Sequence, residues 1–194
     1  MKSTYQLIGT AVGDACSDSD EELALRAGTD REAQAQFYLR HREAVFRYLR
    51  ARCRDEDVAL DLTAMSFEKA LAALPRYQPG TAGVRAWLLR IARNAATDHD
   101  RRRRPFISFW PMNTDQPSDQ PGPEEIAITR DEAFRLQMRL LDLPEIQRDA
   151  LALRYGADLT AREIGAVIGK SEEATQKLIR RAVARLKEAY RAED

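Results

Sequence analysis

Four side chains near the C-terminus, Gln176, Lys177, Arg180 and Arg181, recur at steps that bring them to one face if residues 172–190 are helical. Long donors of this kind reach phosphate oxygens or guanine edges in the major groove of DNA. A second concentration lies between Arg85 and Arg104, where seven arginines stand against Asp98 and Asp100. There Arg90, Arg93, Arg101 and Arg102 suit phosphates, Asn94 suits a base edge, Asp98 shares the same face, and a neighbouring loop with Tyr77 could hold an unpaired base. Basic residues also line ordinary solvated helices, so each pattern must be judged by the elements that present it.

The first set sits on a helical hairpin. Thr160 followed by Glu163 is a capping box that starts a short helix carrying Ile164, Val167 and Ile168 on one face. Gly169 stops it, Ser171 offers the next N-cap, and Glu172 and Glu173 suit the positive end of the following helix. Thr175, Leu178, Ile179, Ala182 and Leu186 make its buried stripe, which turns the basic set outward.

Other chemistry is poorly supported. The acids Asp55, Glu56, Asp57 and Asp61 lie at a helix start without a glycine-rich loop, histidine pair or nucleophile, so capping and solvation explain them, and no catalytic residue is expected. Cys16 and Cys53 show no ligand spacing, and His41 and His99 are isolated, so neither a metal site nor a cofactor is expected. No signal peptide or membrane-length apolar run occurs, which predicts a cytoplasmic protein without membrane insertion. The 194 residues are 44% hydrophobic with zero formal net charge. Basic segments in a neutral chain predict weak DNA binding by the chain alone, with a partner supplying the rest.

The pattern predicts an all-α protein of two small helical domains joined by an extended linker. Residues 1–19 read as an acidic flexible tail. In the first domain, 20–104, one helix runs from Asp20 to Gly28. A second starts after the N-cap Asp30 and buries Ala33, Phe37, Ala44, Val45, Tyr48 and Leu49. A third puts Leu60, Ala64, Phe67, Leu71 and Leu74 on a core stripe, with Val58, Leu62 and Met65 as a spare apolar flank for a partner. After the loop 75–83, a fourth turns Val84, Trp87, Leu88, Ile91, Ala92 and Ala95 inward. Residues 105–128 form a Pro-rich linker whose Phe106, Phe109 and Trp110 should dock on a surface. The second domain, 129–191, takes in most of a helix that runs from about Glu124 to Leu141, another between Pro144 and Gly156, and the hairpin.

The motifs DLxxxSFEKAL, RAWLLRIARNxxxD and LPxxxRxALxLRY, followed by LTxxEIGxxIGKS, occur in an order and spacing that resemble the bacterial extracytoplasmic-function sigma factors over roughly residues 20 to 104 and 130 to 190. The resemblance implies a subunit that binds core RNA polymerase and promoter DNA and promotes melting for transcription initiation, associated with the nucleoid while bound to polymerase. Position by position, Asp57, Asp61, Leu62, Thr63, Met65 and Phe67 would meet the clamp helices of the largest polymerase subunit. The flap of the second-largest subunit is the other contact implied. Arg90, Arg93, Asn94, Asp98, Arg101 and Arg102 would serve the −10 element, and Gln176, Lys177, Arg180 and Arg181 the −35 element. An anti-sigma protein is a further partner the family admits. Met65 replaces a usual acid, implying a more apolar or weaker polymerase contact, and Glu172, Glu173 and Gln176 depart from the usual start of the reading helix. The competing expectation is a freestanding helix-turn-helix regulator, which leaves residues 84–104 and the partner-seeking third helix without roles.

Overall fold

A computed structural model describes residues 19–53, 55–103 and 135–191. Eight α-helices account for most of these residues, and no strand occurs among them. The first four are α1 (Asp20–Ala27), α2 (Arg31–Arg52), α3 (Glu56–Ala73) and α4 (Gly83–Arg103). The second group is α5 (135–142), α6 (Glu145–Leu151), α7 (Ala161–Ile168) and α8 (Glu172–Arg191). The linker expected at 105–128, the tail before Ser19 and the helix expected before residue 135 lie outside the described residues.

Local chemistry sets the helix starts. Ser19, placed in the tail by the sequence reading, is the N-cap of α1 and completes a capping box with Glu22. Asp30 caps α2 by accepting from the Glu32 amide at 2.9 Å, and Asp55 caps α3 by accepting from the Asp57 amide at 2.8 Å. The start of α4 is served from a distance. Gly83 enters with φ of +78°, which a residue with a Cβ rarely adopts. The Val84 amide donates to Glu21 Oε1 at 2.7 Å, placing a carboxylate at the positive end of the helix.

The third helix corrects the sequence reading. Its buried face is Ala59, Leu62, Thr63, Ser66, Phe67 and Ala70, whereas Leu60 and Ala64 face solvent. Small and hydroxyl residues permit close packing there. Thr63 Oγ1 donates to the Ala59 carbonyl at 2.7 Å and Ser66 Oγ to the Leu62 carbonyl at 2.6 Å, so burying them leaves no orphan donor. On α4 the buried set gains Ala86, Leu89 and Ala96, and Trp87 and Ile91 are only half-buried.

One apolar core runs through both groups of helices. Leu23, Phe37, Tyr48, Leu49, Leu62 and Leu88 from the first group pack in the same cluster as Leu153, Leu159, Ile164 and Val167 from the second. Fully burying such a side chain contributes about 1.5–3 kcal/mol. Gly156 rests on α2, and a Cβ there would stand 3.2 Å from the Arg47 carbonyl oxygen. A satellite cluster of Leu143, Leu151 and Ala182 holds α8 against α5 and α6.

Candidate nucleic-acid and partner interfaces

The hairpin of α7 and α8 is built as expected. Thr160 and Glu163 close a capping box, Gly169 ends α7 in the left-handed region with φ of +72°, and the Lys170 amide returns to the Gly165 carbonyl at 2.9 Å. Ser171 Oγ then accepts from the Ala174 amide at 3.2 Å. Gly165 lets the turn and α8 pack close against α7, because a Cβ there would lie 2.5 Å from the Lys170 carbonyl oxygen and 3.2 Å from Thr175 Oγ1. Thr175 and Ala182 are buried and anchor α8.

Gln176, Lys177, Arg180 and Arg181 are all exposed on the outer face of α8. Two are engaged locally by the acids of the first turn. Lys177 Nζ donates to Glu173 Oε1 at 2.6 Å, and Gln176 Nε2 to Glu172 Oε1 at 3.4 Å. Arg180 and Arg181 lie about two turns beyond those acids. The face therefore carries donors and acceptors together, and carboxylates beside a DNA backbone discriminate more than they attract.

The basic helix α4 is divided. Asn94, Asp98, Arg101 and Arg102 are exposed, with Arg101 near Asp98 at 3.9 Å. Arg93 and Arg90 turn toward the hairpin unit instead. Arg93 Nε donates to Asp149 Oδ2 at 2.7 Å, and Arg90 Nη2 to the Ala166 carbonyl at 2.5 Å. Arg85 joins them, donating from Nη2 to the Ala157 carbonyl at 2.7 Å. Tyr77, expected to hold a base, is buried. Its hydroxyl donates to Glu21 Oε2 at 2.6 Å and its ring lies 4.9 Å from that of Trp87, so it pins the loop to α1 and α4. Burial, with that bond and the Glu21 charge, pushes its hydroxyl pKa well up, keeping it a donor.

On α3, Asp57, Asp61 and Met65 are exposed, but Leu62, Thr63 and Phe67 are core residues, with Phe67 edge-on to Tyr38 at 4.8 Å. This corrects the expected partner face. The apolar side chains exposed beside them are Leu60, 51% exposed, and Met65, 39% exposed, five residues apart, with Asp57 and Asp61 between them around the helix.

Sequence reasoning missed a fully buried carboxylate that joins the two groups of helices. Asp149 of α6 is fully buried and shares its carboxylate among Tyr48 Oη at 3.0 Å, Arg52 Nε at 2.8 Å and Arg93 Nε at 2.7 Å. Arg52, itself 2% exposed, also donates to Asp100 at 2.7 Å and Glu145 at 2.9 Å. Burial opposes the Arg52 charge, but Asp149, Tyr48 and Asp100 outweigh it and its pKa is raised. Burial, then the Asp149 charge, raises that of Tyr48 well above the ordinary value. An arginine inside α2's apolar stripe and an acid a hundred residues away give no local signal of their pairing. Cys53 is a buried thiol pushed up to about 11 by burial, which makes it a poor nucleophile. Among the described residues, no group of three or more metal-ligating side chains occurs, and no helix is long and apolar enough to cross a membrane.

Comparison with known proteins agrees with this layout. The family model of Sigma-70 region 2 matches residues 37–106, and that of Sigma-70, region 4 matches residues 139–188. The chain is 33% identical over 175 residues to the ECF RNA polymerase sigma factor SigD of Mycobacterium tuberculosis, covering 87% of this chain and 82% of the relative. It is 36% identical over 121 residues to the ECF RNA polymerase sigma factor ShbA of Streptomyces griseus subsp. griseus, covering 60% of this chain and 63%, less than two thirds, of that relative. Among solved structures, CnrH in complex with the cytosolic domain of CnrY is similar with a TM-score of 0.70 and 25% identity, covering 91% of this chain and all of that one.

Proposed function

The chain belongs to the extracytoplasmic-function sigma factors, and from that premise we infer that it binds core RNA polymerase, recognises a promoter and promotes melting at the start of transcription. The carrying observation is the pairing of two units in family order. A four-helix unit presents the basic α4, and a second unit ends in the exposed reading helix α8. A freestanding regulator would use only the second unit.

In this reading Arg180 and Arg181 supply the main donors to the −35 element. Glu172 and Glu173 hold Gln176 and Lys177 until a base edge replaces them, which favours selectivity over affinity. Asn94, Arg101 and Arg102 meet the −10 strand first, and Arg90 and Arg93 add to them once they leave the hairpin unit. Splaying a base from the duplex costs a few kcal/mol, which contacts to the displaced strand offset. Leu60 and Met65, on either side of Asp57 and Asp61, form with them the face for the polymerase clamp, with Leu62, Thr63 and Phe67 supporting it from beneath. The second-largest subunit's flap meets the other unit. The chain carries out no catalysis of its own, and its place of action is the cytoplasm, on the nucleoid once polymerase is bound. An anti-sigma protein is a further partner, in keeping with the complex in which the similar structure was solved.

Co-elution with purified core polymerase in size-exclusion chromatography tests the first step. A stoichiometric complex is expected. A chain that remains free of polymerase at micromolar concentrations, yet binds duplex DNA selectively, would overturn the reading.

A further inference from the structure

Residues 105–112 carry Phe106, Ile107, Phe109 and Trp110 and no charged side chain, between the arginines that end α4 and the acids from Asp115 onward. Each aromatic side chain can bury about 150–250 Å² and gains by leaving water for an apolar surface within reach. Such a surface stands between the end of α2, α5, α6 with the turn that follows it, and α8. It is a groove of about 310 Å³ whose lining includes Ala51, Leu136, Leu140, Tyr155, Val183 and Leu186. Leu136 is 41% exposed and Tyr155 66% exposed, so the apolar wall faces solvent. Cavities of about 300–1,000 Å³ with apolar walls are of a size to take drug-sized groups.

Both ends of the chain segment 104–134 are tied beside this groove. Asp100, near the end of α4, accepts from Arg52 Nη1 at 2.7 Å, and Arg52 adjoins Ala51 of the groove wall. At the other end Gln137 Nε2 donates to the Cys53 carbonyl at 2.9 Å, and its neighbour Leu136 lines the groove. An extended chain covers at most about 3.3–3.6 Å per residue, so Trp110 stands no more than about 25 Å from Arg103. A tether this short holds the aromatic pair near the groove at an effective concentration on the order of millimolar.

We propose that Phe109 and Trp110 of this same chain occupy the groove when the protein is free. An uncharged segment thereby meets an uncharged wall, with no carboxylate or guanidinium to desolvate. Arg180 and Arg181 are exposed and take no part in the lining, so the segment leaves them open. A protein partner that needs the wall formed by Leu136, Tyr155 and Val183 must displace it. Neither polymerase nor DNA takes part in the docking, so its test stands apart from the sigma-factor reading.

The test uses the full chain with p-benzoylphenylalanine in place of Phe109, photocrosslinked in dilute solution and mapped by mass spectrometry. Crosslinks to Leu136, Leu140, Tyr155 or Val183 within one copy are expected. The double variant Leu136→Lys, Tyr155→Lys alters exposed side chains, so it keeps its helicity by circular dichroism and loses those crosslinks. In Trp87→Phe, Trp110 is the sole tryptophan. Its emission should be blue-shifted and shielded from acrylamide, and should move to the red with loss of shielding when the double variant is added. If Trp87→Phe loses helicity, crosslinking alone decides. Crosslinks that fall elsewhere in the chain, or that survive the double variant unchanged, would overturn the docking. So would groove crosslinks found only between isotopically distinct copies, which would make a second copy the occupant.

Discussion

Gly165→Ala tests the geometry that aims the reading helix. The new Cβ would lie 2.5 Å from the Lys170 carbonyl oxygen, nearer than such carbons come to any atom, and that oxygen belongs to the turn itself. The Lys170 amide is tied back to the Gly165 carbonyl at 2.9 Å, so the turn cannot move away without losing that bond. Overpacking typically costs about 1–3 kcal/mol, and the upper end applies because the blocking atom is backbone. Replacing glycine by alanine inside a helix returns about 1 kcal/mol. The net loss is about 2 kcal/mol, a fall in melting temperature of about 4–8 °C for a chain of this size. Domains stable by about 5–15 kcal/mol remain folded after such a loss, so DNA binding can still be measured. Calorimetry and promoter-duplex titration are the assays, with Gly80→Ala, where nothing lies within 4 Å, as the control. A Gly165→Ala chain that matched the wild type in melting and in duplex affinity would refute the close approach.

Three further outcomes are expected. Arg180→Ala or Arg181→Ala weakens −35-dependent duplex binding by about 1–3 kcal/mol at one base position, and an equal loss on every duplex sequence would assign the residue to phosphate alone. Leu60→Glu or Met65→Glu lowers affinity for core polymerase while leaving the melting temperature unchanged, because both side chains are exposed; unaltered co-elution with polymerase would remove α3 from the interface. His41 is buried against Phe37, and burial first, then Arg85 and Arg40, lowers its pKa below 6.5 despite Asp20. The unfolded chain therefore binds the proton more tightly, so this contribution is full above about pH 6.5 and is lost as pH falls toward the folded value. Denaturant titrations from pH 7.5 to 5 should show the loss in the wild type and a shallower slope in His41→Gln; identical slopes would exclude His41.

Local signals were legible in the sequence because their physics is local. Asp30, Thr160, Gly169 and Ser171 act within four residues of where they stand, and each marks the boundary it was expected to mark. The buried stripe on α3 lies about one residue from the expected one, because Ala59, Thr63 and Ser66 take core positions in place of larger apolar residues, their small size and satisfied hydroxyls suiting a close helix contact. Leu60, expected in the core, faces solvent. Tyr77 and Arg93 were read by residue type alone, and each is claimed by a distant carboxylate, Glu21 and Asp149 respectively. Pairings across 56 residues leave no periodic trace in a single sequence. The docking of one helical unit on the other was invisible for the same reason.

Transcription itself tests the central claim most directly. Core RNA polymerase would be incubated with genomic DNA fragments, with and without this protein, and the 5′ ends of the transcripts mapped. Discrete new start sites sharing an upstream pair of elements are predicted. Identical transcripts in both reactions, from a chain that co-elutes with polymerase and is fully folded, would contradict it.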